Sequence, residues 1–134
     1  MIHEYRLRVY YEDTDWAGLV YYANYFKFIE RARTELLRSM GVDQLQLRQQ
    51  HGCVFAVRSV KAEYRSPAGF DDELRVLSKL VILTPARLTL SQDVCRDVRK
   101  LFTCMVELAC VGRNGRPMRI PGDLRESLEE VRIA

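Results

Sequence analysis

Two aspartates ahead of a long apolar segment are the residues in this sequence best placed to do chemistry. Asp13 and Asp15 stand in Glu12-Asp13-Thr14-Asp15-Trp16-Ala17-Gly18, an acidic loop that runs into the start of a helical pattern. The first N–H groups of a helix have no partner within it, and the helix dipole is positive there, so the position favours negative charge. A carboxylate beside such amides is half of an acyl-transfer site. The amides hold the oxyanion that develops on an attacked carbonyl, while the carboxylate attacks that carbonyl or activates water. Gly18 lets the backbone approach a ligand closely. The same residues admit two plainer accounts. Acidic groups ahead of a helix can simply complement its positive end. Asp-x-Asp can also hint at a divalent cation, although two carboxylates without further oxygen ligands fall short of a coordination shell.

The elements that must hold this loop follow from hydrophobic periodicity. Tyr5, Leu7, Val9 and Tyr11 alternate with Arg6, Arg8 and Tyr10, so a strand leads into the loop. Beyond it, Tyr22, Tyr25, Phe26, Ile29, Ala32, Leu36, Leu37 and Met40 recur at spacings of three and four. That stripe predicts a helix from about residue 22 to residue 40, stopped by Gly41. Its breadth implies that a sheet curls around it. After a weaker helical segment at Asp43–Gln50, Cys53 to Tyr64 reads as a long strand. Leu74, Val76, Leu80 and Ile82 alternate, as do Leu88, Leu90, Gln92 and Val94, and Phe102, Cys104, Val106, Leu108 and Cys110 share one face. Turn signals at Ser66-Pro67-Ala68-Gly69, Thr84-Pro85, Arg96-Asp97 and Asn114-Gly115 make the connections too short for parallel crossovers. Pro121-Gly122-Asp123 opens a terminal helix with Leu124, Leu128 and Val131 inward. The expected fold is α+β: one long central helix wrapped by an antiparallel sheet of about five strands. With 134 residues, 48% of them hydrophobic, the chain is expected to form one domain over 1–134.

Composition narrows the function classes. No apolar leader follows the charged start Met1–Arg8, and no stretch approaches the roughly 18 apolar residues of a membrane span. A cytoplasmic location without stable membrane insertion is therefore expected. Cys53, Cys95, Cys104 and Cys110 contain no Cys-x-x-Cys pair, and His3 and His51 lie far from any zinc pattern, so no metal site is expected and the thiols read as free. Cys104 and Cys110 should share a face as buried small hydrophobes. A net charge of +3 is mild for a nucleic-acid binder. The arginines gathered after residue 86 suit one phosphorylated small ligand better than a duplex.

The segment Tyr10–Tyr21, YYEDTDWAGLVY, closely resembles the Tol-Pal-associated acyl-CoA thioesterases (often called YbgC) and, more distantly, 4-hydroxybenzoyl-CoA thioesterase. Glu30–Leu37 carries E-R-A-R-T-E-x-L, and VKAEYRSPAGFDDEL at Val60–Leu74 looks like the family's strand, Pro-containing turn and Asp-Asp pair. The resemblance covers more than half the chain. It implies the hot-dog fold, in which the sheet wraps the helix, and subunits paired edge to edge as a homodimer or homotetramer. It implies hydrolysis of an acyl-CoA thioester to acid and CoA, without a cofactor. Asp15 matches the family's catalytic carboxylate, nucleophile or general base, and the Tyr22 backbone N–H matches the oxyanion-polarising amide. Gly18 matches the glycine that admits substrate, and Tyr25 is taken with it as substrate-binding. CoA phosphates need cations; Arg87, Arg113 and Arg116, in or beside predicted turns, are the candidates. Two positions depart from the pattern. Tyr22 stands where the Tol-Pal-associated branch commonly has histidine, and Trp16 where the family usually has a small residue or proline. Alternatives kept open are an acyl-carrier-protein or aromatic-CoA thioester substrate, and a non-catalytic acyl-CoA-binding module.

Overall fold

Alternation along consecutive strands builds the wall against which the main helix lies. A computed structural model describes residues 1–133. In chain order the elements are β1 (His3–Arg8), α1 (Tyr25–Ser39), α2 (Gln44–His51), β2 (Val54–Tyr64), β3 (Glu73–Leu83), β4 (Arg87–Arg96), β5 (Arg99–Val111) and α3 (Gly122–Val131). Short 3-10 turns at Tyr11–Asp13 and Tyr22–Asn24 flank the acidic loop. The five strands form one antiparallel sheet in the order β1-β3-β4-β5-β2. Helix α1 lies across β1, β3 and β4, leaving β2 on the far edge.

Inward positions follow the period of two expected of strands with one buried face. Leu74, Val76 and Leu80 on β3, Leu88, Leu90 and Val94 on β4, and Phe102, Cys104, Val106, Leu108 and Cys110 on β5 are all buried. Ile82 departs from expectation and is 51% exposed. The β3–β4 register shifts between Leu80 and Ile82, and a bulge residue reverses the phase of the side chains that follow it. Leu83 therefore packs on the core in its place. The first strand is also shorter than its alternation suggests. It ends at Arg8, and Tyr11, 84% exposed, begins the turn into the loop.

The helix stripe is shifted from the expected one. Tyr25, Phe28, Ile29, Ala32, Leu36 and Leu37 are buried, at the three-and-four spacing of one helical face, whereas Tyr22 and Phe26 are exposed. Phe28, at 1% exposure, is the inward aromatic that the stripe omitted. Gly41, at φ +79°, ends the helix in the left-handed conformation that only glycine adopts without cost. Beneath α1 lies one polar cluster. Gln92 Nε2 donates to the Ile29 carbonyl at 3.0 Å and to Ser78 Oγ at 2.9 Å, while Arg33 Nη1 donates to Gln92 Oε1 at 3.0 Å. Gln92 and Ser78 are fully buried, and these bonds offset the desolvation that burial imposes. Burial also lowers the Arg33 pKa from its ordinary value.

Truncating Phe28 to Ala should cost about 3–5 kcal/mol, the usual range for emptying an aromatic site in a core. Urea unfolding of wild type and Phe28→Ala measures this directly. A loss below about 1 kcal/mol would place Phe28 outside the core.

Candidate active site

The acidic loop folds back on itself as a tight hairpin. Thr14 bridges Val20 across it, Asp15 N–H donates to the Leu19 carbonyl at 2.8 Å, and Gly18 N–H donates to the Asp15 carbonyl at 3.1 Å. Gly18 takes φ +78°, so this turn needs a residue without a Cβ. Within it, Asp15 Oδ1 accepts the N–H groups of Ala17 at 2.9 Å and Leu19 at 3.2 Å. Among the described residues Asp15 Oδ2 has no hydrogen-bond partner. One oxygen anchors the carboxylate; the other is available.

Asp13 does different work. Its Oδ2 accepts the Tyr10 N–H at 2.8 Å, and its carbonyl accepts Tyr21 N–H at 2.9 Å and Asn24 Nδ2 at 2.9 Å. Asp13 therefore ties the loop to the helix start, and the two aspartates divide between scaffold and free carboxylate. Among the described residues no group of three or more His, Cys, Asp or Glu side chains comes together in a metal-binding arrangement.

At the far side of the hairpin the chain enters the 3-10 turn Tyr22–Asn24, which runs directly into α1. Asn24 N–H bonds the Tyr21 carbonyl at 2.8 Å, while the Tyr22 N–H finds no acceptor among the described residues, as expected at a helix start. Asp15, Val20, Tyr22, Tyr25, Tyr64 and Pro67 line one cleft of about 390 Å³. Asp15 and the helix-start residue Tyr22 thus line the same space.

The cleft floor is aromatic. Tyr25 is 3% exposed, stacks on Phe102 with ring centroids 4.9 Å apart and planes 7° from parallel, and accepts the Ala68 N–H on its hydroxyl at 3.2 Å. Burial raises the Tyr25 pKa above its ordinary value, so the phenol stays protonated. Tyr64, from β2, donates its hydroxyl to the Tyr22 carbonyl at 3.0 Å and packs edge-on against Tyr22, Tyr25 and Phe102. Tyr64 was not among the expected site residues. Its only sequence signal was its place in the Val60–Leu74 segment, because an aromatic near the end of a strand is otherwise ordinary.

The loop after β2 closes the other wall. Leu19 bridges Gly69, Val20 N–H bonds the Ala68 carbonyl at 2.8 Å, and Phe70 N–H bonds the Gly18 carbonyl at 3.1 Å. Asp72 Oδ2 holds this loop by accepting the Gly69 N–H at 2.8 Å and the Arg96 guanidinium at 2.8 Å. Asp72 is partly desolvated, which acts upward on its pKa, but the Gly69 amide and Arg96 outweigh that and hold it below the ordinary carboxylate value.

The three candidate phosphate-binding arginines are not gathered around Asp15. Arg87 opens β4 and lies 3.9 Å from Glu107, which also pairs with Arg58 at 2.6 Å. Arg113 and Arg116 line a separate cleft with His51, Gly52 and Met118, and Arg113 Nη2 donates to the Gln49 carbonyl at 3.1 Å. The cation on the rim of the Asp15 cleft is Arg65.

The family model of the thioesterase-like superfamily matches residues 9–128. The chain belongs to that superfamily. The acyl-CoA thioesterase YbgC of Haemophilus influenzae is 33% identical over 127 residues, 94% of this chain and 93% of that protein. The acyl-CoA thioester hydrolase YbgC of Escherichia coli is 39% identical over 106 residues, 78% of each chain. The crystal structure of a probable thioesterase from Bartonella henselae superposes with a TM-score of 0.86 at 33% identity, covering 90% of this chain and 100% of that one. The molecule is thus a YbgC-like thioesterase with the hot-dog fold that its acidic-loop motif implied. No helix among its described residues is long and apolar enough to cross a membrane.

The Asp72 pair generates a pH prediction. A carboxylate with a depressed native pKa stabilises the fold above its unfolded pKa and loses that contribution as pH falls through the native value. Asp72→Asn should therefore lower the urea midpoint at neutral pH, and its gap from wild type should close on acidification. A gap that stays constant down the acid series would sever Asp72 from this role.

Proposed function

We propose that this thioesterase hydrolyses acyl-CoA thioesters to free acid and CoA, with Asp15 as the catalytic carboxylate and the Tyr22 N–H as oxyanion donor. What supports the proposal is the shared cleft: Asp15, anchored through one carboxylate oxygen, lines the same space as Tyr22, the residue that carries the unpaired helix-start amide. A thioester carbonyl in that space would direct its oxygen to the amide and its carbon to Asp15. Asp15 attacks that carbon directly, or takes a proton from a water that attacks it. Negative charge then develops on the carbonyl oxygen, where a fixed amide dipole stabilises it more than reorienting water does. Collapse expels the CoA sulfur as thiolate, and water supplies the hydroxyl of the acid product.

The names of the relatives support an acyl-CoA substrate. The aromatic floor of Tyr22, Tyr25 and Tyr64 suits an apolar acyl or pantetheine chain. Arg65 on the rim, with Arg87, Arg113 and Arg116 further away, supplies cations for the nucleotide phosphates. A cytoplasmic enzyme acting as one domain over 1–134 is the setting that fits such a substrate.

The unpaired edge of β2 supports subunit pairing. Val54, Val57, Val60 and Tyr64 are each between 39% and 50% exposed, an apolar surface beside free strand-edge hydrogen-bonding groups. Pairing there would also set a second subunit beside Tyr64 and the cleft.

Two measurements test these assignments. Asp15→Asn keeps the side chain's shape but removes its charge and basicity, so turnover of acyl-CoA should fall at least about a hundredfold with the fold intact. Thiol release at the wild-type rate would overturn the assignment to Asp15. Replacing Val57 and Val60 together with Lys should convert a dimer or tetramer to the 15.7 kDa monomer in light scattering. A wild-type protein that is already monomeric would remove the proposed interface.

A further inference from the structure

Four cysteines are buried here, and two of them touch. Cys53 and Cys110 are both fully buried, and their sulfurs lie 2.6 Å apart although the residues are 57 apart in sequence. Their approach follows from the fold. Gly52, at φ +64°, ends α2 in the left-handed conformation and turns the chain into β2. In the antiparallel β2–β5 ladder Val54 opposes Val111 and Phe55 opposes Cys110. Side chains alternate across a sheet, so Cys53 lies on the face of Phe55 and becomes the diagonal neighbour of Cys110. The other two thiols have no such partner on their ladders. Cys95 opposes Arg75 and Lys100, and Cys104 opposes Ala62 and Gln92.

We propose that Cys53 and Cys110 form an oxidisable dithiol that closes to an intramolecular disulfide under peroxide, a modification separate from the hydrolytic site. One sulfur attacks a peroxide oxygen, the O–O bond breaks, and a sulfenic acid and water result. The second sulfur then attacks the first, forming the S–S bond and expelling the sulfenic oxygen as a second water. Each sulfur gives up one electron, peroxide takes both, and the two thiol protons end in water.

Burial and the neighbouring thiol push Cys110 up to about 12, so little thiolate exists at neutral pH and the closure is slow. A cleft lined by Gly52, Gly112, Arg113 and Met118 takes in the residue before Cys53 and the second residue after Cys110. Arg113 covers Gly52 there, its Nε 3.0 Å from where a Cβ would stand. The link would join the start of β2 to the end of β5, enclosing β3, β4 and the Ser66–Asp72 wall of the active-site cleft in one loop. Closing so long a loop stabilises chiefly by restricting the unfolded chain.

The test is thiol counting on the full chain. Protein treated with hydrogen peroxide is acid-quenched, unfolded in guanidinium, alkylated with iodoacetamide and mapped by mass spectrometry. Wild type should take up two alkyl groups rather than the four its cysteines allow and should yield a linked Cys53–Cys110 peptide. Its urea midpoint should rise. Cys110→Ser should keep three modifiable thiols and show no rise. A second series in sub-denaturing urea gives the oxidant access to the core. Four alkyl groups in both series, or links that join Cys95, Cys104 or two chains instead, would overturn the proposal.

Discussion

Asp15 Oδ1 accepts two backbone N–H groups from its own turn, and on that pair of bonds the rest of the site is built. Bonds to a charged acceptor are stronger than neutral ones, and both donors lie within four residues, so little chain entropy is lost in forming them. The turn is braced from outside as well. Asp13 ties its base to Tyr10, Tyr21 and Asn24, and the loop after β2 bonds the Gly18 carbonyl through Phe70. A carboxylate on an unbraced loop would sample many directions. Here it is restrained before any ligand arrives.

The sheet and helix carry that local order to the core. Tyr25 joins the two: its ring stacks on Phe102 of β5, and its hydroxyl holds the Ala68 amide of the cleft wall. Two turns along α1, Arg33 and the Ile29 carbonyl meet Gln92, which fixes the helix against β3 and β4 through fully satisfied polar groups. Apolar packing alone tolerates sliding, whereas a buried hydrogen-bond cluster has one satisfied arrangement. The helix start near Tyr22 inherits its position from these contacts.

The division of labour between the two edges of the sheet follows from the same packing. Helix α1 covers β1, β3 and β4, and along most of β3 and β4 buried residues alternate with partly exposed ones. Edge strand β2 lies beyond that cover and keeps its valines and Tyr64 accessible. The Asp15 cleft opens where this uncovered edge meets the acidic hairpin, which is why Tyr64 of β2 and the loop after it line a space shared with the segment before α1.

Much of this was written in local pattern. The period-two runs of β3, β4 and β5, the helix with its glycine stop, and the acidic loop ahead of it each depend on residues close in sequence, so their spacing determined them. The motif Tyr10–Tyr21 likewise carried the hot-dog family with it. What local pattern could not carry was phase and meeting. The bulge after Leu80 turned Ile82 outward, and the true inward stripe of α1 ran through Phe28 instead of Phe26, because only the opposing strands select which residues face the core. Tyr64 reached Tyr22 from 42 residues away, Arg113 and Arg116 settled in a cleft of their own, and Cys53 met Cys110 across the β2–β5 ladder. Contacts between distant residues are decided by strand order and register, which sum interactions over the whole sheet and leave no mark in any single stretch of sequence.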